Sequence, residues 1–218
     1  MKKVFSITAM FAAFLLAVST TGCATARDAV TKEYDRLANT VPAPPVRCEY
    51  DRAIDNLGVA VGVNYAFAHK NMKEFVDFTT NHREYLGFLN DIKFYMEEEK
   101  LDEKAAMEKV VKGIQAEDAK VTDPKEKVWP RIVAAIKASE SLKIENKLGE
   151  IAVVVAANVK NAKTVADLKN SFKGFDAPTI AKGIACVEIA GQALFTSECL
   201  GFIAEQYRRT LKAKYYAK

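Results

Sequence analysis

The residues of this chain able to form a reactive centre are few: Cys23, Cys48, Cys186 and Cys199, the histidines His69 and His82, and the isolated carboxylate Glu188. A thiol held against an imidazole gives a nucleophilic thiolate. Nothing local sets any of these cysteines beside His69 or His82. No Glu-x-x-His pair occurs, so the di-iron bundle signature is missing. No H-E-x-x-H, C-x-x-C, G-x-S-x-G or phosphate-binding loop occurs either. His69 is expected near a helix end and His82 beside the face of its helix, both in structural roles. Glu188 sits in the apolar window Ile184 to Leu194. A buried charge needs a partner, so Glu188 either faces solvent, the preferred placement, or meets a cation or polar ligand inside. The expectation is a non-enzymatic protein with no catalytic residue, no metal and no cofactor.

The N-terminus has its own logic. Lys2 and Lys3 precede an apolar run from Val4 to Val18, broken only by Ser6 and Thr8. Small residues Ser19-Thr20-Thr21-Gly22 and then Cys23 follow. Charge, apolar run and small residues in that order form a secretory signal. Thr20-Thr21-Gly22-Cys23 resembles the lipobox of bacterial lipoproteins, in which the cysteine becomes the lipidated first residue. The resemblance implies a signal peptide at 1–22, lipidation at Cys23 and, because Ala24 rather than Asp follows, the outer membrane. Two other outcomes stay open. Ala24-Thr25-Ala26 is an A-x-A cleavage site that would release a soluble periplasmic protein. An uncleaved span is the third, although the run of about fifteen residues is short of the roughly twenty that a membrane requires.

Removing residues 1–22 from the 218 leaves 196, enough for one sizeable core. Lysines and arginines number 32 and acids 28; losing Lys2 and Lys3 lowers the net charge from +4 to +2. Such a balance does not suggest nucleic-acid binding. An exported chain meets an oxidising compartment. Cys48, Cys186 and Cys199 are odd in number, so they allow one internal bridge at most. Cys186 and Cys199 would lie about 20 Å apart on one helix, too far for a disulfide. A bridge would therefore join Cys48 to one of them; three buried thiols is the alternative.

Helical periodicity dominates the rest. Val30, Tyr34 and Leu37 mark an amphipathic segment over 24–40, read as a tether helix or a frayed stalk. Pro42, Pro44 and Pro45 make residues 41–46 a stiff extended spacer and set the domain boundary. Residues 57–68 alternate like a strand, yet Gly58, Gly62 and Ala66 also line one helical seam. A lone strand would have no partner, so helix is preferred, with the small residues admitting a neighbouring helix. Asn71 and Glu74 suggest a capping box and a fresh helix from Met72 to Met96. Its aromatics, Phe78 and Phe88 among them, form either a wide core face, the preferred assignment, or a ligand or partner groove.

Asp102 caps a helix carrying Met107, Val110, Val111 and Ile114. Asp123-Pro124-Lys125-Glu126 reads as a helix start, with a kink or restart at Pro130. A helix from Ser141 to about 162 carries the uncharged run Ile151 to Ala157, expected to be buried on most sides. Thr164 opens a short helix that Gly174 closes. The last helix starts at Asp176 or Pro178 and aligns Ile180, Ile184, Val187, Gly191, Leu194 and Gly201. The tail from Tyr207 is basic and aromatic, suited to anionic lipid or to a favourable helix C-terminus.

Together these features predict an all-α protein: an irregular bundle of six or seven helices over 48–218, behind a lipidated N-terminus and Pro-rich tether at 23–47. The expected function is a membrane-anchored scaffold or partner-binding module, held by its lipid and joined by a protein of the cell envelope. The alternative is a periplasmic carrier for an apolar ligand such as a lipid.

Overall fold

A computed structural model describes residues 29–39 and 44–217. Residues 1–22, read above as a signal peptide, and the expected lipidation site Cys23 lie outside the described residues. Among those described, the chain forms seven α-helices, one 3₁₀ turn and no strand: α1 (Ala29–Ala38), α2 (Arg52–Asn81), α3 (Arg83–Glu98), α4 (Glu103–Asp118), α5 (Trp129–Ala138), the turn Ser139–Leu142, α6 (Ile144–Ser171) and α7 (Ala177–Ala213). The all-α bundle expected from the sequence is the fold observed.

Three long helices make the frame. Asp51 meets Lys182 at 3.6 Å, Tyr65 stacks on Phe195 and Phe75 meets Tyr207 edge-on, so α2 and α7 run parallel. Glu74 pairs with Lys147, and Asn64 donates to Asn158 at 2.7 Å, so α6 runs antiparallel to α2. One half of this frame is enclosed by α1, α3, α4 and α5 around a core of Phe75, Tyr85, Phe88, Leu89, Ile203 and Tyr207. The other half is a narrow three-helix arm. Its small core holds Cys48, Ile54, Val61, Val165, Cys186 and Ile189. The amide pair Asn64–Asn158 lies where the two cores meet; Asn158 is itself buried.

Several helix boundaries differ from those predicted, each for a local reason. Asn71 caps nothing: its amide donates to Phe67 O inside α2, which runs unbroken to Asn81. The chain turns at His82 instead, where Nδ1 lies 2.9 Å from Phe78 O and the imidazole stacks on the Phe78 ring. His69 is consequently in mid-helix, not near an end. The Asp123-Pro124 sequence makes only a turn, with Asp123 Oδ1 accepting from Lys125 N at 2.8 Å. α5 begins at Trp129 with Pro130 in its first turn, where a proline lacks only a hydrogen bond that the helix start lacks anyway. Its leading amides are satisfied from afar: the Asp118 carboxylate accepts from Val128 N at 2.8 Å and Trp129 N at 2.7 Å. The helix expected at Thr164 is the continuation of α6, with the Thr164 hydroxyl donating back to Lys160 O.

The segment read as tether or stalk packs on the bundle. Val30 and Leu37 of α1 are fully buried in the main core. An isolated ten-residue helix is marginal in water, so α1 depends on this docking. Asn90 of α3 supplies its cap: Oδ1 accepts from Val30 N (3.1 Å) and Thr31 N (3.3 Å), and Nδ2 donates to Thr31 Oγ1 (2.9 Å). At the other end Arg36 pairs with Glu198 of α7. Residues 44–48, the described end of the Pro-rich stretch, lie as a strap on α2. A Cβ at Gly58 would stand 1.8 Å from Val46 O, and one at Gly62 would stand 3.3 Å from Pro45. The small seam therefore admits the chain's own backbone, not another helix.

Candidate docking surface

The arm has an unusual outer face, and α7 provides most of it. Gly174, with a φ of +131° that side-chain-bearing residues avoid, turns the chain into α7. Asp176 caps the helix, accepting from Thr179 N and Thr179 Oγ1 at 2.9 Å each. The backbone and hydroxyl bonds from Thr179 hold its carboxyl below the ordinary aspartate range. Ala185, Cys186, Ile189, Ala193 and Thr196 then face the core. On the opposite side stand Ile180, Ile184, Val187 and Leu194, each about half exposed, with exposed Gly191 in the same row. Their spacing of four, three, four and three residues is the seam of a coiled coil.

The neighbouring surface is apolar too. The run Ile151 to Ala157 of α6, expected to be buried on most sides, buries chiefly Ile151. Val153 is 70 % exposed and Val159 65 % exposed, because an arm of only three helices covers each on one flank. Scattered surface aliphatics are ordinary; an in-register row over four turns is not scatter. Glu188 is exposed beside Val187, in the solvent-facing position preferred from the sequence. Lys182 is turned toward Asp51 and the Phe172 ring, away from the row.

The other predicted residues fall elsewhere. Phe88 is 1 % exposed and packs edge-on against Trp129; Phe78 is buried against His82 and Tyr85. Both are core residues, as in the assignment preferred from the sequence. Cys48, Cys186 and Cys199 are buried thiols. Cys48 and Cys186 share the arm core, while Cys199 belongs to the main core. Burial, with Glu198 adding to it, pushes the Cys199 thiol up to about 12. A thiol so reluctant to ionise is a poor nucleophile. Among the described residues no group of three or more His, Cys, Asp or Glu side chains converges as metal ligands would.

The tail holds a feature the sequence concealed. Arg209, read as part of a basic surface, is 1 % exposed. It pairs with Glu205 one turn earlier and reaches Glu103 of α4, which also holds Lys212. Arg208 next to it is exposed. Tyr207 is fully buried, and desolvation, with Glu74 adding to it, raises its pKa. Glu205 at four residues before Arg209 was the available signal; only α4 shows that the pair is inward. Two concavities lie near this tail. One of about 490 Å³ is lined by Glu145, Arg208, Leu211, Lys212, Lys214 and Tyr215. The second, of about 260 Å³, includes Glu140, Lys143 and Asn146. Both are open and rimmed by charged side chains.

No protein-family model matches the chain, and no curated protein or solved structure is significantly similar to it.

Proposed function

We propose that this is a non-enzymatic lipoprotein of the bacterial cell envelope that holds a protein partner at the membrane, docking an amphipathic helix of that partner on the outer face of α7. One observation carries the proposal: Ile180, Ile184, Val187 and Leu194 form an exposed row in coiled-coil spacing. A helix with its own apolar seam is the complementary shape. The flanking positions are mostly small or uncharged, Ala181, Gly183 and Ala190 among them, with Glu188 the charge closest in sequence to the row's centre. A partner with basic residues beside its seam is therefore favoured.

The energetics explain what an anchor contributes. Fully burying an aliphatic side chain is worth about 1.5–3 kcal/mol, so covering the exposed half of four yields roughly 3–6 kcal/mol. Association costs at least about 4 kcal/mol at standard concentration. The seam alone therefore binds weakly. Confinement of both partners to one membrane raises their effective concentration, and a weak seam then suffices. Lipidation at Cys23, with outer-membrane residence facing the periplasm, supplies that confinement. Only five residues lie between Cys23 and Ala29 of α1, so the bundle would ride within about 20 Å of its anchor.

The test uses the full chain in its native membrane, with a photo-crosslinker replacing Val187. A cross-linked peptide that maps to an amphipathic helix of another envelope protein, and is lost in Ile184→Glu, is expected. Cross-links only to a second copy of the chain, or only to lipid, would overturn the partner assignment. An intact mass starting at Cys23 and carrying acyl chains checks the anchor; an unmodified start at Arg27 would remove it.

A further inference from the structure

We infer that Cys48 and Cys186 are disulfide partners, and that their bond staples the 44–48 strap to α7. Both side chains lie in the one small arm core, which Ile54, Val61, Val165 and Ile189 complete. Cys199, the other candidate, belongs to the main core. Two further constraints bring the backbones of this pair together. Cys48 N donates to Asp55 Oδ1 at 2.7 Å, which fixes Cys48 over the first turn of α2. Asp51, at the cap of that same turn, meets Lys182 at 3.6 Å, and Lys182 stands one turn before Cys186 on α7. The strap itself has little freedom, since the Val46 carbonyl rests directly on Gly58. The Cys186 thiol also feels Cys48 as a neighbouring thiol, although burial is the larger influence on it.

The chemistry is thiol–disulfide exchange with a disulfide-bearing oxidant. Cys48, the less buried of the two thiols, loses its proton and attacks one sulfur of the oxidant, expelling the first donor thiolate. Cys186 then loses its proton and attacks Cys48 Sγ in the mixed disulfide. The Sγ–Sγ bond forms, the second donor thiolate leaves, and the two protons pass to the two donor thiolates. The protein is oxidised by two electrons and the oxidant reduced by two.

The setting rests on the envelope assignment; the pairing does not. Both are buried free thiols in the structure. Closing it ties the strap, which has no helical or strand hydrogen bonds of its own, to the helix carrying the docking row.

The experiment alkylates full-length protein on cell lysis without reductant and maps the linked peptides. A parallel sample of reduced, purified protein is incubated with oxidised glutathione. In both, a Cys48–Cys186 link with a mass two hydrogens lower and Cys199 alkylated only after unfolding is expected. Cys199→Ala should leave the link intact, and the strap amides should exchange more slowly in the oxidised protein. A link formed by glutathione but absent in the cell would support the pairing and refute the oxidising location. A bond involving Cys199, or no bond in oxidised glutathione with the fold intact by circular dichroism, would overturn the inference.

Discussion

Replacing Asn90 by Ala should loosen α1 while leaving the long helices unaffected. Asn90 accepts two first-turn amides of α1 and donates to the Thr31 hydroxyl. Loss of a side-chain N-cap costs about 1 kcal/mol, and loss of an ordinary hydrogen bond about 1 kcal/mol more. Against this, the buried Val30 and Leu37 hold α1 down by roughly 3–6 kcal/mol. The helix should therefore stay docked but open more often. A loss of about 2 kcal/mol corresponds to opening roughly 30-fold more frequent. Hydrogen exchange read by mass spectrometry is the assay: amides of 29–38 should accelerate by that factor, while those of α2 and α7 should not change. Asn90→Asp keeps the acceptor and places a negative charge at a helix N-terminus, so its effect should be smaller. Uniform acceleration across all helices would refute the reasoning, because the cap would then act on the global fold. No change in α1 would refute it as well.

Two further outcomes are expected. Gly58→Ala drives a Cβ into the Val46 carbonyl and should displace the strap at a cost of about 1–3 kcal/mol, whereas Gly113→Ala on the exposed side of α4 meets nothing and should gain about 1 kcal/mol; paired thermal melts measure both. Alkaline pH should destabilise the protein. Burial first of all raises the pKa of Cys199, from 9.0 to about 12, and raises those of Tyr85 and Tyr207 as well. These groups stay neutral in the fold and ionise sooner in the unfolded chain. Their contribution is complete below the unfolded values and is lost as pH rises from about 9 through 12. Tm should fall across that window, and Cys199→Ala should flatten the fall; a Tm that is level to pH 11 would contradict the assignment.

Much of the architecture was legible along the chain. Asp102 capping α4 and Met107 and Val110 facing inward follow from spacing and local hydrogen bonding, while the helix over 57–68 followed from the want of a partner strand, against its own alternation. The errors share one cause. Asn71, the Asp123-Pro124 pair and Thr164 all carry local helix-start signals, yet α2 and α6 run on through theirs, and α5 starts only where the distant Asp118 accepts from its first amides. The docking row was visible as periodicity, but periodicity gives a face without saying what covers it. Ile180, Ile184 and Val187 carry the same signal as a core stripe, and in α7 that core lies on the other side.

The sequence by itself determined the helical class, most of the helix faces and the absence of a familiar catalytic pattern, because these depend on residues three or four apart. The tertiary structure alone decided which contacts form between distant segments. Asn90 caps a helix sixty residues away, Val46 rests on Gly58, Arg209 is buried against Glu103 and Glu205, and Cys48 shares a core with Cys186. Each depends on where two segments far apart in the chain meet. That meeting is set by the packing of the whole bundle, and no window of neighbouring residues contains it.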